Sequence, residues 1–141
     1  MRFIGVDPGV NTGVCEIENG AIVCLQTSSF WPVFWSLWHR RADEGIAVFI
    51  EDSRCIRAVY KDKLTHNAKK DRKIAQNVGG VKVRAELMID GLKDAGINIT
   101  PIAPLTRKPW GDVGQFRRVT GWRGECSDHA TDACSFIWGM R

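Results

Sequence analysis

The stretch RFIGVDPGVNTGV, residues 2–14, predicts a buried strand followed by a turn and contains the first candidate functional residue. It is a short apolar run that ends at Asp7 and is broken at once by Pro8-Gly9, which favours a turn. Alternate residues of a strand share a face, so Gly5 is predicted beside Asp7 and should leave room there for an ion or a phosphate. A carboxylate at the end of a buried strand is a metal-ligand position, although an isolated Asp-Pro-Gly also occurs as a simple turn.

Length and composition limit the class of protein. A chain of 141 residues with 44% hydrophobic and 26% charged residues predicts a single α/β domain over residues 1–141. The five cysteines form no C-x-x-C pair, which argues against a disulfide framework or a zinc site. Neither a signal peptide nor an apolar run of ~18 residues is present, so we expect a cytoplasmic protein without membrane association.

A β-hairpin is predicted directly after the opening strand. Two segments of strand pattern, 12–17 and 21–27, flank Asn19-Gly20, and Asn-Gly is the strongest short hairpin signal. A two-residue turn at this point would place Cys15 opposite Cys24 on the buried face. We expect both cysteines to act as small hydrophobic residues.

The remaining elements follow from apolar periodicity. Helices are predicted over 28–44, 69–95 and 127–140, with a short helical piece near 115–119, and strands over 46–50 and 97–101. The aromatic stripe of the first helix is interpreted as core, although it could also stack on nucleic-acid bases. Together the elements predict an α/β fold with a five-stranded mixed sheet flanked by helices on both faces.

The long helix has two faces of interest. Its main apolar face, which includes Val81, is predicted to pack on the sheet. About 180° away lies a narrower stripe of small and apolar residues, Gly79, Gly80, Val83 and Leu87. A surface helix should be polar on that side, and two glycines permit close approach of another helix. We therefore predict a homodimer contact at this stripe.

Further acidic residues repeat the pattern of Asp7. The apolar run 46–50 stops at Glu51-Asp52, which places a second carboxylate at the end of a central strand. In the last helix His129 and Asp132 are three residues apart and share a face. Asp128 opens the same helix, where it can cap the helix or act as a further ligand.

Basic residues are concentrated beside these acids. Residues 52–73 carry eight lysines and arginines against three aspartates, a local charge of +5 in a chain whose formal charge is +4. A solvated loop is the simpler interpretation, but cations beside a carboxylate cluster suit a bound polyanion. The predicted DNA-binding residues are Arg54, Arg57, Tyr60, Lys61, Lys69, Lys70 and Lys73, joined by Arg117 and Arg118 from the basic segment 103–125. Trp110 and Trp122 of that segment could contact nucleic acid or anchor the loop.

The order of elements and acids resembles the RNase H-like nuclease fold, and within it the RuvC family of Holliday-junction resolvases. The resemblance covers nearly the whole chain. It is carried by IGVDPGVNTGV, by Ile50-Glu51, by the helix AQNVGGVKVRAEL, by RVTG at 118–121 and by HATDA at 129–133. The chain departs from the family at Phe116, where the family carries a lysine before the V-T-G turn, and a second family lysine has no match near Glu125.

The resemblance implies a specific site and reaction. Asp7, Glu51, His129 and Asp132 correspond to the four catalytic, metal-binding residues, which would hold two Mg²⁺ ions, or Mn²⁺ given the imidazole. Tyr60 corresponds to the aromatic wedge at the junction centre. The implied protein is a homodimer that resolves four-way DNA junctions in a bacterial cell, encoded either by the bacterium or by a virus that infects it. Alternatives are a nuclease of this fold acting on other branched, flap or RNA-containing substrates, a non-catalytic nucleic-acid-binding protein, and an ATP-binding actin-like module, which would need a second domain.

Overall fold

A five-stranded mixed sheet, in the order β3-β2-β1-β4-β5, forms the centre of the computed structural model, which describes residues 1–55 and 67–141. The strands are β1 Arg2–Asp7, β2 Asn11–Glu18, β3 Ala21–Ser29, β4 Ile46–Glu51 and β5 Ile99–Ile102. The described helices are α1 Phe30–His39, α2 Ala68–Asp94, α3 Val113–Thr120 and α4 Asp128–Ser135, with one 3₁₀ turn at Ser53–Cys55. The predicted α/β class and five-stranded mixed sheet are confirmed.

Strand β1 is central because it is apolar on both faces. It pairs antiparallel with β2 and parallel with β4. Ile4 and Val6 are fully buried in a core beneath α1 and α2, together with Val48 and Ile50 of β4. Phe3 and Phe49 face the opposite core, beneath α3 and α4. The helices therefore cover both faces of the sheet, as the alternation predicts.

The hairpin turn forms where predicted, but its register differs. Asn19 and Gly20 both have positive φ, 52° and 79°, which is the conformation that a two-residue turn requires. Cys24 lies opposite Glu16, so the predicted pairing of Cys15 with Cys24 is wrong. The cause is a β-bulge that adds one residue to β3 and shifts every later pair, which a simple count from the turn cannot anticipate.

Two helices end earlier than their apolar periodicity predicts. α1 stops at His39 rather than 44, and α4 stops at Ser135 rather than 140. In both places the chain continues in tighter turns that bond three residues back, such as Ile137 N–H to the carbonyl of Cys134. Phe136 and Ile137 still enter the core, so the apolar pattern persists after the α-helix has ended.

The long helix α2 is buried only over its C-terminal half. Ala85, Met88 and Leu92 lie in the core, whereas Val81, predicted on the same face, is 37% exposed. A helix of 27 residues is ~40 Å long, and a six-residue strand spans ~20 Å, so the sheet is too short to cover the whole helix. Among the described helices, none has the length and apolar character needed to span a membrane.

Candidate active site

Two carboxylates emerge side by side at one edge of the sheet. β1 and β4 run parallel with Val6 beside Ile50, so the next residues, Asp7 and Glu51, leave the sheet together. Glu51 follows Phe49 in the pleat and therefore points to the α3/α4 face, which Asp7 also shares. The predicted alignment of the two acids at the carboxyl ends of central strands follows directly from this register.

Helix α4 lies directly on β1, which carries Asp7, and on the neighbouring strand β2. Each strand has a glycine at the contact, so no side chain separates the helix from the sheet. A Cβ atom at Gly5 would be 2.1 Å from the carbonyl oxygen of Ala133, and one at Gly13 would be 2.0 Å from that of His129. The expectation that Gly5 leaves room for an ion is therefore wrong. Backbone of α4 fills that space, and the glycines bring the helix close to Asp7.

This close packing places His129 at the end of β1. Ser127 caps α4, its hydroxyl accepting from the amide of Ala130 at 3.1 Å, so the helix begins immediately before His129. The imidazole Nδ1 lies 3.1 Å from Oδ2 of Asp7. The Asp7 side chain is 14% exposed and that of His129 50% exposed, so the pair lies at the boundary between core and solvent.

The turn after Asp7 is also held in place. Thr12 is fully buried, and its hydroxyl donates to the carbonyl of Gly9 at 2.9 Å while accepting from the Gly9 amide at 3.3 Å. These two bonds close the loop between β1 and β2. Asp7 is therefore fixed by the loop on one side and by α4 on the other.

Asp132 brings a lysine into the same site. Its buried Oδ1 has no hydrogen-bond partner of suitable geometry among the described residues and lies in ion-pair contact with the ammonium of Lys108. Lys108 belongs to the irregular segment between β5 and α3, and no periodic signal in the sequence distinguishes it from the neighbouring cations. Phe116 is fully buried against Trp110.

Electrostatics confirm that the acids share one environment. Burial is the main cause that raises the pKa of Glu51 to about 7, and the nearby charges of Asp7 and Asp132 raise it further, while Lys108 opposes them. The pKa of Asp7 is also raised, mainly by burial, against the lowering effect of its hydrogen bond with His129. Burial and repulsion among the acids therefore outweigh the stabilisation that Lys108 and the hydrogen bond from His129 supply.

The donor set fits a hard divalent cation. Carboxylate oxygens are preferred by Mg²⁺, and an imidazole adds affinity for Mn²⁺. The raised pKa of Glu51 indicates a carboxylate whose charge a cation would stabilise, whereas Oδ1 of Asp132 already lies against the ammonium of Lys108. Over residues 1–55 and 67–141, no three of these side chains already lie in a metal-ligating arrangement. Lys108 contacts Asp132 instead.

The predicted DNA-binding residues are dispersed. Lys69, Lys70 and Lys73 are exposed on the first turns of α2, and Arg118 is exposed on α3. Arg54 is paired with Asp52, and Arg117 donates to the carbonyl of Gly124 at 3.0 Å. Arg57, Tyr60 and Lys61 lie outside the described residues.

The tryptophans divide between core and surface. Trp110 is 5% exposed and Trp122 packs on the same core, donating to the carbonyl of Glu125 at 2.9 Å, so both anchor their loop. Of the α1 aromatics, Phe30 and Phe34 are buried as predicted, but Trp31 and Trp35 are about half exposed.

The stripe predicted as a dimer contact faces solvent in the single chain. Val83 and Leu87 are 53% and 46% exposed, and with Val10 and Trp31 they line a groove of about 540 Å³.

Comparisons of this chain with protein-family models, curated proteins and solved structures return no significant match.

Proposed function

We propose that this protein is a structure-selective endonuclease of the RNase H-like, RuvC type, which resolves four-way DNA junctions by metal-dependent phosphodiester hydrolysis. One observation carries the proposal. Asp7, Glu51, His129 and Asp132 are separated by up to 125 positions in the sequence, yet they occupy one edge of the sheet and act on one another electrostatically. Burial raises the pKa values of Asp7 and Glu51, and perturbed carboxylates gathered at a strand end are typical of functional sites.

The proposed division of labour follows the geometry. Asp7, Glu51 and Asp132 would supply carboxylate oxygens for two Mg²⁺ or Mn²⁺ ions, and His129 would supply a further ligand or hold a water through Nε2, since Nδ1 is bonded to Asp7. Such ions, when bound, activate water and stabilise the departing 3′ oxygen. The ammonium of Lys108 lies beside Asp132, where it can contact a phosphate oxygen of the substrate.

A symmetric dimer belongs to the proposal. A four-way junction has two-fold symmetry, and paired nicks in opposed strands need two sites related by the same axis. The stripe of half-buried Gly79 and Gly80 with exposed Val83 and Leu87 supports a contact between two copies. The exposed lysines at the start of α2 support binding to phosphates along the DNA arms.

The direct test is cleavage of a substrate panel with Mg²⁺ or Mn²⁺. We expect symmetric nicks in a synthetic four-way junction, and slower or no cutting of linear duplex. Preferred cutting of a flap or an RNA–DNA hybrid would assign the same chemistry to another substrate. An absence of metal-dependent cutting throughout the panel would contradict the enzyme proposal.

Asp7→Asn tests the assignment of the site. The amide cannot hold a cation as the carboxylate does, so cleavage should fall by at least ~10³-fold while junction binding stays close to that of the wild type. Asp43→Asn is a matched control, because it removes a carboxylate paired with Arg40 in the loop before β4. Residual cleavage by Asp7→Asn at the wild-type rate per bound complex would rule out the assigned role.

A further inference from the structure

The residue that follows Glu51 anchors the end of β4 from the opposite face of the sheet. Val48 and Ile50 face the core beneath α1 and α2, so the pleat turns Asp52 to that side and Glu51 to the other. Asp52 is 6% exposed, which is unusual for a carboxylate unless it is paired. Its backbone amide donates to the carbonyl of Ile102 in β5 at 2.7 Å.

The Asp52 carboxylate is held by one residue through three bonds. Its Oδ1 accepts from Nε of Arg54 at 2.9 Å and from the Arg54 amide at 3.0 Å, while Oδ2 accepts from Nη2 at 3.0 Å. Nη1 of the same guanidinium lies 3.7 Å from Oδ2 of Asp90 on α2. This fork-shaped pairing fixes both direction and distance, which a single ion pair does not.

The end of β4 needs such an anchor because the strand pairing stops there. The pairing of β4 with β1 ends at Ile50 and its pairing with β5 ends at Glu51, so few ladder contacts hold the backbone that carries the Glu51 side chain. Contacts of the next residue therefore have to hold that backbone in place. Asp52, fixed on the far side of the strand, provides that hold.

We propose that Asp52 and Arg54 are positioning residues of the candidate active site, holding the end of β4 so that Glu51 faces Asp7. The inference rests on the proposed function and takes Arg54 out of the predicted DNA-binding set. Neither residue touches the reacting atoms. Both act through the backbone that carries Glu51.

Two substitutions separate positioning from DNA contact. Asp52→Asn removes the charged partner and frees the Arg54 guanidinium, whereas Arg54→Gln removes the cation itself. If the pair positions Glu51, both variants should lose ~10–100-fold in kcat and in Mn²⁺ affinity, with KM for the junction little changed. Arg54→Lys should recover only part of the loss, because a single ammonium cannot make the fork-shaped pairing.

The experiment measures four quantities on the full-length protein: junction cleavage, junction affinity over a range of salt, Mn²⁺ affinity by calorimetry without DNA, and Tm. Assays are run well below the Tm of each variant, so that a variant with reduced stability is still folded. Asp43→Asn is the matched control, since it breaks an Arg–Asp pair in the loop before β4. It should match the wild type in all but Tm.

Four results would overturn the inference. Wild-type kcat in Asp52→Asn, with weaker binding and a salt slope reduced by about one in Arg54→Gln, would make Arg54 a phosphate contact. A lower Tm with unchanged kcat and Mn²⁺ affinity would make the pair merely structural. A wild-type protein that neither binds Mn²⁺ nor cuts the substrate panel would contradict both the proposed function and this inference. An active wild type whose Asp52 and Arg54 variants are unaffected would contradict the inference alone.

Discussion

At the scale of single residues, ionisation of a carboxyl group in the candidate site lowers the free energy of unfolding. Glu51 is the clearest case, because burial and two neighbouring carboxylates raise its pKa from 4.5 to about 7. The folded protein therefore holds this proton more tightly than the unfolded chain does. Folding stability must fall as pH rises through the window between those two values, and it stays at the lower level above pH 7.

Glu51→Gln should make the protein more stable but inactive. Glutamine cannot ionise, so in the presence of a chelator the variant should have a Tm about 2–5 °C above the wild type at pH 8, and no advantage below pH 4.5. Thermal unfolding followed by circular dichroism measures the difference. Glu44→Gln, at an exposed position, is the control and should show no such dependence on pH.

Addition of Mn²⁺ supplies a second check on the same residue. A cation that binds between the carboxylates should raise the wild-type Tm at pH 8 and remove the advantage of Glu51→Gln. The effect should weaken below pH 7, where Glu51 takes up its proton. An identical Tm for both proteins at every pH would mean that Glu51 lies in ordinary solvent.

At the scale of elements, the sequence predicts strands better than it predicts what packs on them. The apolar runs before Asp7 and Glu51 locate both acids, since a buried strand leaves a strong local pattern. The pattern of one strand predicts an open space beside Gly5, because it contains no information on which element packs there. In the folded chain that element is α4. Lys108 lies in an irregular segment without apolar periodicity, so the sequence does not indicate its contact with Asp132. The folded chain shows that contact.

Gly13→Ala tests the packing of α4 on the sheet. The added methyl would lie 2.0 Å from the backbone carbonyl of His129, so the helix must move, at a cost of about 1–3 kcal/mol. Movement also breaks the contact between His129 and Asp7. We expect a lower Tm together with a loss of cleavage of at least ~10-fold at temperatures where the variant is folded.

Gly79→Ala provides the comparison for that substitution. Its added methyl meets no atom of the described residues within 4 Å, and alanine is favoured over glycine within a helix. In the Val83→Glu background, where the proposed dimer contact is removed, its Tm should equal or exceed that of Val83→Glu alone. If Gly13→Ala behaved in the same way, α4 would not depend on the glycine contacts.

At the scale of the whole molecule, charge and apolar surface occupy different regions. The exposed lysines lie at the start of α2, while the apolar groove formed by Val10, Trp31, Val83 and Leu87 lies between α1 and the middle of α2. A contiguous apolar patch on a helix surface marks an interaction site. Under the proposed function, a polyanion and a second copy of the chain would therefore bind at separate surfaces.

Val83→Glu should convert the protein to a monomer. In an isologous contact, a carboxylate at the centre of the stripe would be buried near the same carboxylate of the second copy. The dimer would then lose apolar contact area and bury two charges that repel each other. Val119→Glu is the matched control, because it places the same change at a helical valine of similar exposure, 45% against 53%. Sedimentation equilibrium at micromolar concentration measures the mass of each variant.

The coupled readout is the pattern of nicks in a four-way junction. A dimer cuts opposed strands within one bound complex, whereas a monomer cuts them independently, so Val83→Glu should release singly nicked junctions while each site keeps its chemistry. A wild type that is monomeric at these concentrations, or a Val83→Glu variant that remains dimeric, would move the contact away from the stripe. Because the candidate metal site lies at the sheet edge and the stripe on α2, such a result would change the proposed symmetry of the reaction and leave the proposed hydrolysis unaffected.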